Sequence, residues 1–534
     1  MFRLKAKLKR SGRRLLTDNN YNFLPEDFNQ SYDGHTLLSQ NTFNTNEDQL
    51  SQSLAKISLQ KLAEVLRVDA NTCVDGNCNS LQPEPNSRRQ KLIIQSSVSQ
   101  HFPKPPEDLK NKLLQHLENV KETASNEIVR LHPLLECMEL TGCLIECYHC
   151  QTFSHLHYLL QNISSIQSSF VLLNWGLQAY MSRDHLDLPD LPGLEPPKVD
   201  HLLLLDWFVQ ATDTVLAVVQ TDVKGSLEKI LQNERNQSGS DTDEAFVGLY
   251  MDMIQYIDAI PKEAQKISQH LSDRVEEVCF KELLSFLERY TAEQIETLSK
   301  EAKRDKPKSW HFLKTLNSCK HLKEYVQKKD TTINGSIPQK TVATLEKMED
   351  STFKLLREVV SVLTERHLKN YFKTDKKLFS LSHALKEFFP KTQCSEDILK
   401  KVMDDAYEVI TQIYLKHLRQ RSQRKLRRSW SPEVGQTVTE DAELLHNTIA
   451  ELAPGVQEWN LMLLKVAELL ECSDIEAVKV VAAEIFTTWS EGPDLLPKLL
   501  RWKGLPGWQV EEVLDAIPGR QPRSVFCFSA LKCC

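Results

Sequence analysis

The sequence predicts an all-α fold of stacked antiparallel helical bundles behind a disordered basic N-terminus. Three observations carry that prediction. Glycine is scarce, at 16 of 534 residues, and helices avoid glycine because its backbone entropy is costly to lose. Apolar residues recur at steps of three and four over long stretches, the period of one helix face. No stretch alternates apolar and polar residues as a half-buried strand does.

The elements follow in chain order. Arg3, Lys5, Lys7, Lys9, Arg10, Arg13 and Arg14 precede the first acid, and Leu4, Leu8 and Leu15 share one face if this piece is helical. Residues 17–46 are rich in Asn, Asp, Gln, Ser and Thr and lack an apolar period, which predicts a disordered linker. Leu50, Leu54, Ile57 and Val65 predict a helix over 47–67, with Lys61 interrupting its stripe. Residues 69–106 read as a second linker, marked by Pro83, Pro85, Pro103, Pro105 and Pro106.

The folded body starts there. Leu109, Leu113, Leu117, Val120, Ala124, Ile128 and Leu131 form the stripe of a long amphipathic helix. Three further stripes follow: Val275, Val278, Leu283, Leu287 and Tyr290; Phe353, Leu356, Val360, Leu363 and His367; Ile398, Val402, Ala406, Val409 and Ile413. Ser473 with Glu476, Thr437 with Glu440 and Thr291 with Gln294 have capping-box spacing and predict helix starts. Gly492-Pro493 predicts a stop near Trp489 and a new start near Asp494. Residues 182–200 form a Pro-rich connection, and 233–243 a polar one. Beyond 437 the predicted helices shorten, as in a compact antiparallel stack.

Single hydrophobic cores stop growing at roughly 250–300 residues, so this chain needs several. The pattern divides it into 1–46, basic and disordered, then 47–104, a short helix with a Pro-rich linker. Helical bundles follow over 105–260, 261–430 and 431–534.

Composition excludes several classes of function. A net charge of -7 argues against a chain devoted to nucleic acid. Thirteen cysteines without a paired framework suit a reducing compartment. The N-terminus lacks the apolar core of a secretory signal. Leu202 to Val219 is the most apolar stretch, but it holds Asp206 and Asp213. Each acid costs roughly 2.5–3.5 kcal/mol at a bilayer centre, which predicts a buried helix there.

No phosphate-binding loop, HExxH, nucleophile elbow or dinucleotide fingerprint is present. The expectation is therefore no enzyme, no catalytic residue and no cofactor. Cys143, Cys147 and Cys150, followed by His155 and His157, could supply soft metal ligands. They fall in a continuous helical pattern, however, where buried cysteine acts as a small hydrophobe, and no metal site is expected. The final Cys533-Cys534 is not a CaaX box, because position 531 is Leu.

Two basic clusters are the candidate sites. Arg3, Lys5, Lys7, Lys9, Arg10, Arg13 and Arg14 suit an anionic membrane surface, at roughly 1 kcal/mol per cation; a solvated tail or an import-like patch is the bland alternative. Lys416, Arg419, Arg421, Arg424, Lys425, Arg427 and Arg428 end a strong helix. They suit an acidic protein partner or anionic lipid, although cations at a helix C-terminus also complement the macrodipole.

Two stretches carry a family resemblance. One is Phe170-Val-Leu-Leu-Asn-Trp175-Gly-Leu-Gln-Ala-Tyr180 with Leu202–Leu205. The other is Trp459 to Pro518, above all Leu495-Leu-Pro-Lys-Leu-Leu-Arg501-Trp-Lys-Gly504 and Val510–Ile517. Both resemble the exocyst complex component 3 family, with similarity over residues 95–532. The resemblance implies an elongated rod of stacked bundles and a role in exocytosis and vesicle tethering. It implies SNARE proteins, exocyst subunits and a Ral-type small GTPase as partners, at the cytoplasmic side of the plasma membrane. It also implies phosphoinositide binding through a basic N-terminus and outgrowth of membrane protrusions or nanotubes. The alternative is a helical scaffold that docks acidic proteins through 416–428 without touching membrane. The short N-terminal segment, with a polar linker where the family has an early coiled coil, departs from the pattern.

Overall fold

The computed structural model describes residues 85–136, 140–181, 201–237, 244–329, 336–372, 378–389, 394–430, 434–489 and 492–518. The N-terminal basic tract, the helix predicted over 47–67, the connection at 182–200 and Cys533-Cys534 lie outside them. Among the described residues every regular element is an α-helix, as predicted. They divide into two compact units, one within 1–229 and 255–283, the other within 230–254 and 284–534.

The first unit opens with α1 (Pro85–His101), which corrects the expectation of a linker over 69–106, followed by α2 (Leu109–Leu135), α3 (Thr141–Asn162) and α4 (Ile166–Met181). Asp108 caps α2 by accepting from the Asn111 backbone N–H at 3.3 Å, which satisfies one of the free donors of the first turn. The predicted stripe is core, with Leu113, Leu117, Val120, Ala124, Ile128 and Leu131 all buried. It packs on α3 and α4, while α1 packs on α3.

Between α2 and α3 lie two buried histidines, His116 and His155, with Nε2 atoms 2.7 Å apart. One ring must donate and the other accept, so the two cannot both be protonated. Burial lowers both pKa values; for His155, burial and then the charge of His116 bring it to about 4.

This unit also holds most of α5 (His201–Gln237), the second part of α6 (Glu244–Gln265) and the start of α7 (Gln269–Ala302). Gly176 of α4 meets Trp207 of α5 so closely that a Cβ would lie 2.6 Å from the indole ring. Polar ties join the rest: Arg274 to Asp213 at 3.2 Å, Gln220 to Glu282 at 2.7 Å, and Tyr256 to Asp222.

α5 corrects an expectation. One side is core, through Leu204, Trp207, Ala211, Val215, Val219, Val223 and Leu227. The other is open, with Leu202 77%, Leu205 56% and Val209 61% exposed. Apolar residues go all the way round its first turns, and one side of them is buried. By length and composition Leu202–Arg235 is apolar enough to cross a membrane, and 28% of its most apolar window is buried.

The second unit holds the remaining parts of α5 to α7, then α8 (Ser309–Lys329), α9 (Ile337–Tyr371), α10 (Phe379–Phe388), α11 (Glu396–Gln420) and α12 (Gln423–Ser429). It ends with α13 (Val434–Leu452), α14 (Asn460–Glu471), α15 (Ile475–Thr488), α16 (Gly492–Lys503) and α17 (Gly507–Asp515). α9 packs on α8 and α11, and α13 to α16 pack each on the next in sequence. Short connections make such successive partners antiparallel. The α11 stripe is buried at every predicted position, from Ile398 to Ile413.

The α9 stripe is shifted from its prediction. Leu345, Met348, Thr352, Leu356, Val360, Thr364 and Leu368 are buried, while Phe353, Leu363 and His367 sit at the margin. Two threonines can face the core because each hydroxyl donates to the carbonyl four residues back, Met348 and Val360, both at 2.7 Å.

Two predicted helix starts are also corrected. Thr291 lies inside α7 and Thr437 inside α13, because the apolar period continues across both and the helix propagates through. At the third, Asp474 rather than Ser473 caps α15, accepting from Ala477 N–H at 3.3 Å.

The core of this unit holds a buried acid bonded by two tyrosines. Asp441 of α13 accepts from Tyr414 of α11 at 2.7 Å and from Tyr371 of α9. Phe372 and Trp430 pack their rings around the same point. Burial raises the Asp441 pKa to about 6, against the pull of the two hydroxyls.

Candidate partner-docking surface

The second basic cluster falls where α11 ends. α11 is amphipathic, so its last turns carry Lys416 and Arg419 outward while Leu415 and Leu418 stay buried. Arg421 ends the helix. α12 is only two turns long and is held by its buried Leu426 and by Trp430 just after it. Arg424, Lys425, Arg427 and Arg428 are left exposed around that anchor.

Not all seven cations are equally available. Lys416 binds Glu365 of α9 at 2.7 Å, and His417 binds the same carboxylate at 2.5 Å. The Lys416 hydrogen bond leads in holding the Glu365 pKa below its usual value. Arg419 turns its Nε–H to the Leu415 carbonyl at 3.3 Å.

The structure adds residues from α16, more than 70 positions away in sequence. Lys498 and Trp502 join Lys416, Arg419 and Gln420 in lining a shallow groove of about 280 Å³. The Trp502 indole N–H donates to the Arg421 carbonyl. Its neighbour Lys503 donates to the carbonyls of Leu470 at 2.9 Å and Cys472 at 2.6 Å, closing the free end of α14. Burial lowers the Lys503 pKa, and the charge of Arg427 adds to that. Arg501 is exposed on the same helix. α16 thus brings a second row of cations to the α11–α12 end. The signal was present in Lys498-Leu-Leu-Arg501-Trp-Lys503, but nothing local says that this run meets residues 416–428.

The other predicted site residues fare differently. Arg3, Lys5, Lys7, Lys9, Arg10, Arg13 and Arg14 lie outside the described residues. Cys143, Cys147 and Cys150 sit on one continuous helix, half-buried, buried and exposed in turn. His155 turns to His116, and His157 is exposed. Burial pushes the Cys147 thiol up to about 12 and raises Cys143 as well, which disfavours the thiolate that metals and electrophiles need. Among the described residues no group of three or more His, Cys, Asp or Glu side chains is placed to hold a metal ion.

Comparison with known proteins gives the family. The model of the exocyst complex component Sec6 family matches residues 139–495. Among solved structures, one described as the crystal structure of M-Sec superposes with a TM-score of 0.54 at 16% identity. It covers 92% of this chain, which in turn covers 88% of it. At that identity the likeness speaks for the fold alone. The family match reaches into both units and covers the first of the stretches on which the resemblance rests, and the second as far as Leu495. The chain belongs to the exocyst complex component Sec6 family.

Proposed function

We propose that this protein is a non-enzymatic adaptor in vesicle tethering and membrane remodelling, which docks an acidic partner on the α11–α12–α16 surface. The observation that carries the reading is the convergence of cations from two distant segments on one groove beside a half-buried tryptophan. Family membership supports exocyst subunits as partners at the cytoplasmic face of the plasma membrane. Within the family the sequence resembles tumour necrosis factor alpha-induced protein 2. That supports SNARE proteins and a Ral-type small GTPase as partners, and protrusion or nanotube outgrowth as the outcome. In this reading the tract from Arg3 to Arg14 holds the chain to phosphoinositide membrane, and the groove recruits the protein partner.

The test separates the two sites. Full-length chain is incubated with a GTP-loaded Ral-type GTPase and, separately, with phosphoinositide vesicles. Charge reversal at Arg419 and Lys498, which line the groove, together with Arg424, Arg427 and Arg428 beside it, should abolish salt-sensitive GTPase capture and leave vesicle sedimentation unchanged. Neutralising the seven N-terminal cations should do the reverse. Capture that survives charge reversal would remove the groove from the mechanism.

A further inference from the structure

α11 and α12 are separated by a break of two residues, Arg421 and Ser422. Both hold extended backbone, at φ −101°, ψ 140° and φ −74°, ψ 141°. The break is pinned on each side. The Arg421 carbonyl accepts from the Trp502 indole N–H. The Ser422 carbonyl accepts from the backbone N–H groups of Lys425 at 2.9 Å and Leu426 at 3.1 Å. A serine at a helix start ordinarily turns its hydroxyl to a free N–H of the first turn. Ser422 does not: its side chain is exposed and makes no capping bond to α12.

The charges around this hydroxyl are of one sign. Arg419 and Arg421 stand three and one residues before it, and Arg424 and Lys425 two and three after it. The nearest acids along the chain are Glu408 and Glu433. The groove lined by Lys416, Arg419, Gln420 and Lys498 starts two residues away. A protein kinase with an acidic peptide cleft would recognise such a serine, because opposite charge both steers the encounter and fixes the register. An extended acceptor segment also presents its backbone and both rows of side chains to an enclosing cleft. α12 offers little resistance to that docking. Seven residues are too few for a helix that is stable by itself, and its anchor Leu426 lies beyond the first turn. Ser429 also follows two arginines, but it lies in the last turn of α12 between the buried Leu426 and Trp430.

We propose that Ser422 is a phosphorylation site for a basic-directed protein kinase, and that its phosphate closes the α11–α12–α16 surface to acidic partners. The second half rests on the docking reading above. In the transfer, Ser422 Oγ bonds to the γ-phosphorus of ATP while the bond from that phosphorus to the β,γ-bridging oxygen breaks. ADP leaves, and the hydroxyl proton passes to the kinase's catalytic carboxylate. The ester carries about −1.5 to −2 charge at pH 7. It stands among Arg419, Arg421 and Arg424, and guanidinium groups bind phosphate oxygens more strongly than neutral acceptors. An anion within the chain thus takes up cations that an acidic partner would use, and cancels about two of the charges that draw the partner in.

The full chain is incubated with ATP and the catalytic domain of protein kinase C, and phosphopeptides are mapped by mass spectrometry. Phosphate on Ser422 is expected, with that signal lost in Ser422→Ala. Phosphate confined to other residues, Ser429 included, or no phosphate at all, overturns the site. Modified and unmodified chains are then titrated with the GTP-loaded Ral-type GTPase at about 0.1 M salt. Modification should weaken capture about tenfold, the size of the attraction lost with two charges. Phosphatase, which hydrolyses the ester to serine and inorganic phosphate, should restore it, and kinase-treated Ser422→Ala should capture as the unmodified chain does. Equal capture by modified and unmodified chain overturns the switch and leaves the docking reading standing. If the unmodified chain captures nothing, the docking reading and the switch fall together, and the mapping alone decides the site.

Discussion

The two units bury titratable groups in opposite ways. In the first, His116 and His155 satisfy each other, and burial favours the neutral form of both. In the second, Asp441 is surrounded by donors, Tyr371 and Tyr414, yet burial still favours its protonated form. Both nodes tie separate helices together at a point where an apolar side chain would have been simpler. The difference is the sign of their response to acid. The His155 pKa falls from 6.5 to about 4 on folding. Its contribution is complete above pH 6.5 and is lost as pH falls toward 4, because the unfolded chain takes up protons that the folded one refuses. The Asp441 pKa rises from 3.8 to about 6. Its contribution is complete below pH 3.8 and is lost as pH rises toward 6. Over one window the two units are pushed in contrary directions.

The comparison breaks most sharply at Asp441. Asp441→Leu strands two buried hydroxyls, at roughly 1–3 kcal/mol each, so a loss of about 4 kcal/mol is expected. It should appear as lost hydrogen-exchange protection in α9, α11 and α13, with α1 to α4 unaffected. Asp441→Asn keeps an acceptor and removes the charge, so it should cost less and flatten the acid response of the second unit. The next effect is the pH dependence itself. Between pH 6.5 and 4 the protection of α2 and α3 should fall by up to about 3 kcal/mol, while that of α11 and α13 holds or rises. Replacing both histidines by leucine should remove the first trend alone. A parallel response of both units would show that the nodes do not behave as opposed. The smallest effect belongs to the core threonines. Thr364→Val exchanges a locally bonded hydroxyl for a methyl and should change stability by less than about 1 kcal/mol, read from denaturant midpoints.

These nodes also mark the limits of what the sequence could reveal. α11 was legible because its apolar residues alone define the buried face, from Ile398 to Ile413. α9 was misaligned because Thr352 and Thr364 count as polar until their hydroxyls are seen bonded to their own helix. Asp441 sits in an acidic run, Glu440-Asp441, where nothing separates the buried member from the solvated one. The basic cluster at 416–428 was visible as a contiguous run. Lys498, Trp502 and Lys503 were not, since their place beside it depends on how α16 packs. The exposed side of α5 was missed for a related reason: hydropathy reports how apolar a helix is, not how many neighbours it has.

The clamps beneath the groove have a kinetic consequence. Trp502 is held to the Arg421 carbonyl, and Lys503 to the last carbonyls of α14. The floor of the groove is therefore fixed by the helix packing before any partner arrives. A partner meeting it has little to reorganise, so encounter is governed by long-range attraction between opposite charges. Association should then be fast and steeply slowed by added salt, with dissociation almost indifferent to it. Such a surface would capture and release on the time scale of a vesicle's approach, a temporary mooring rather than a permanent weld.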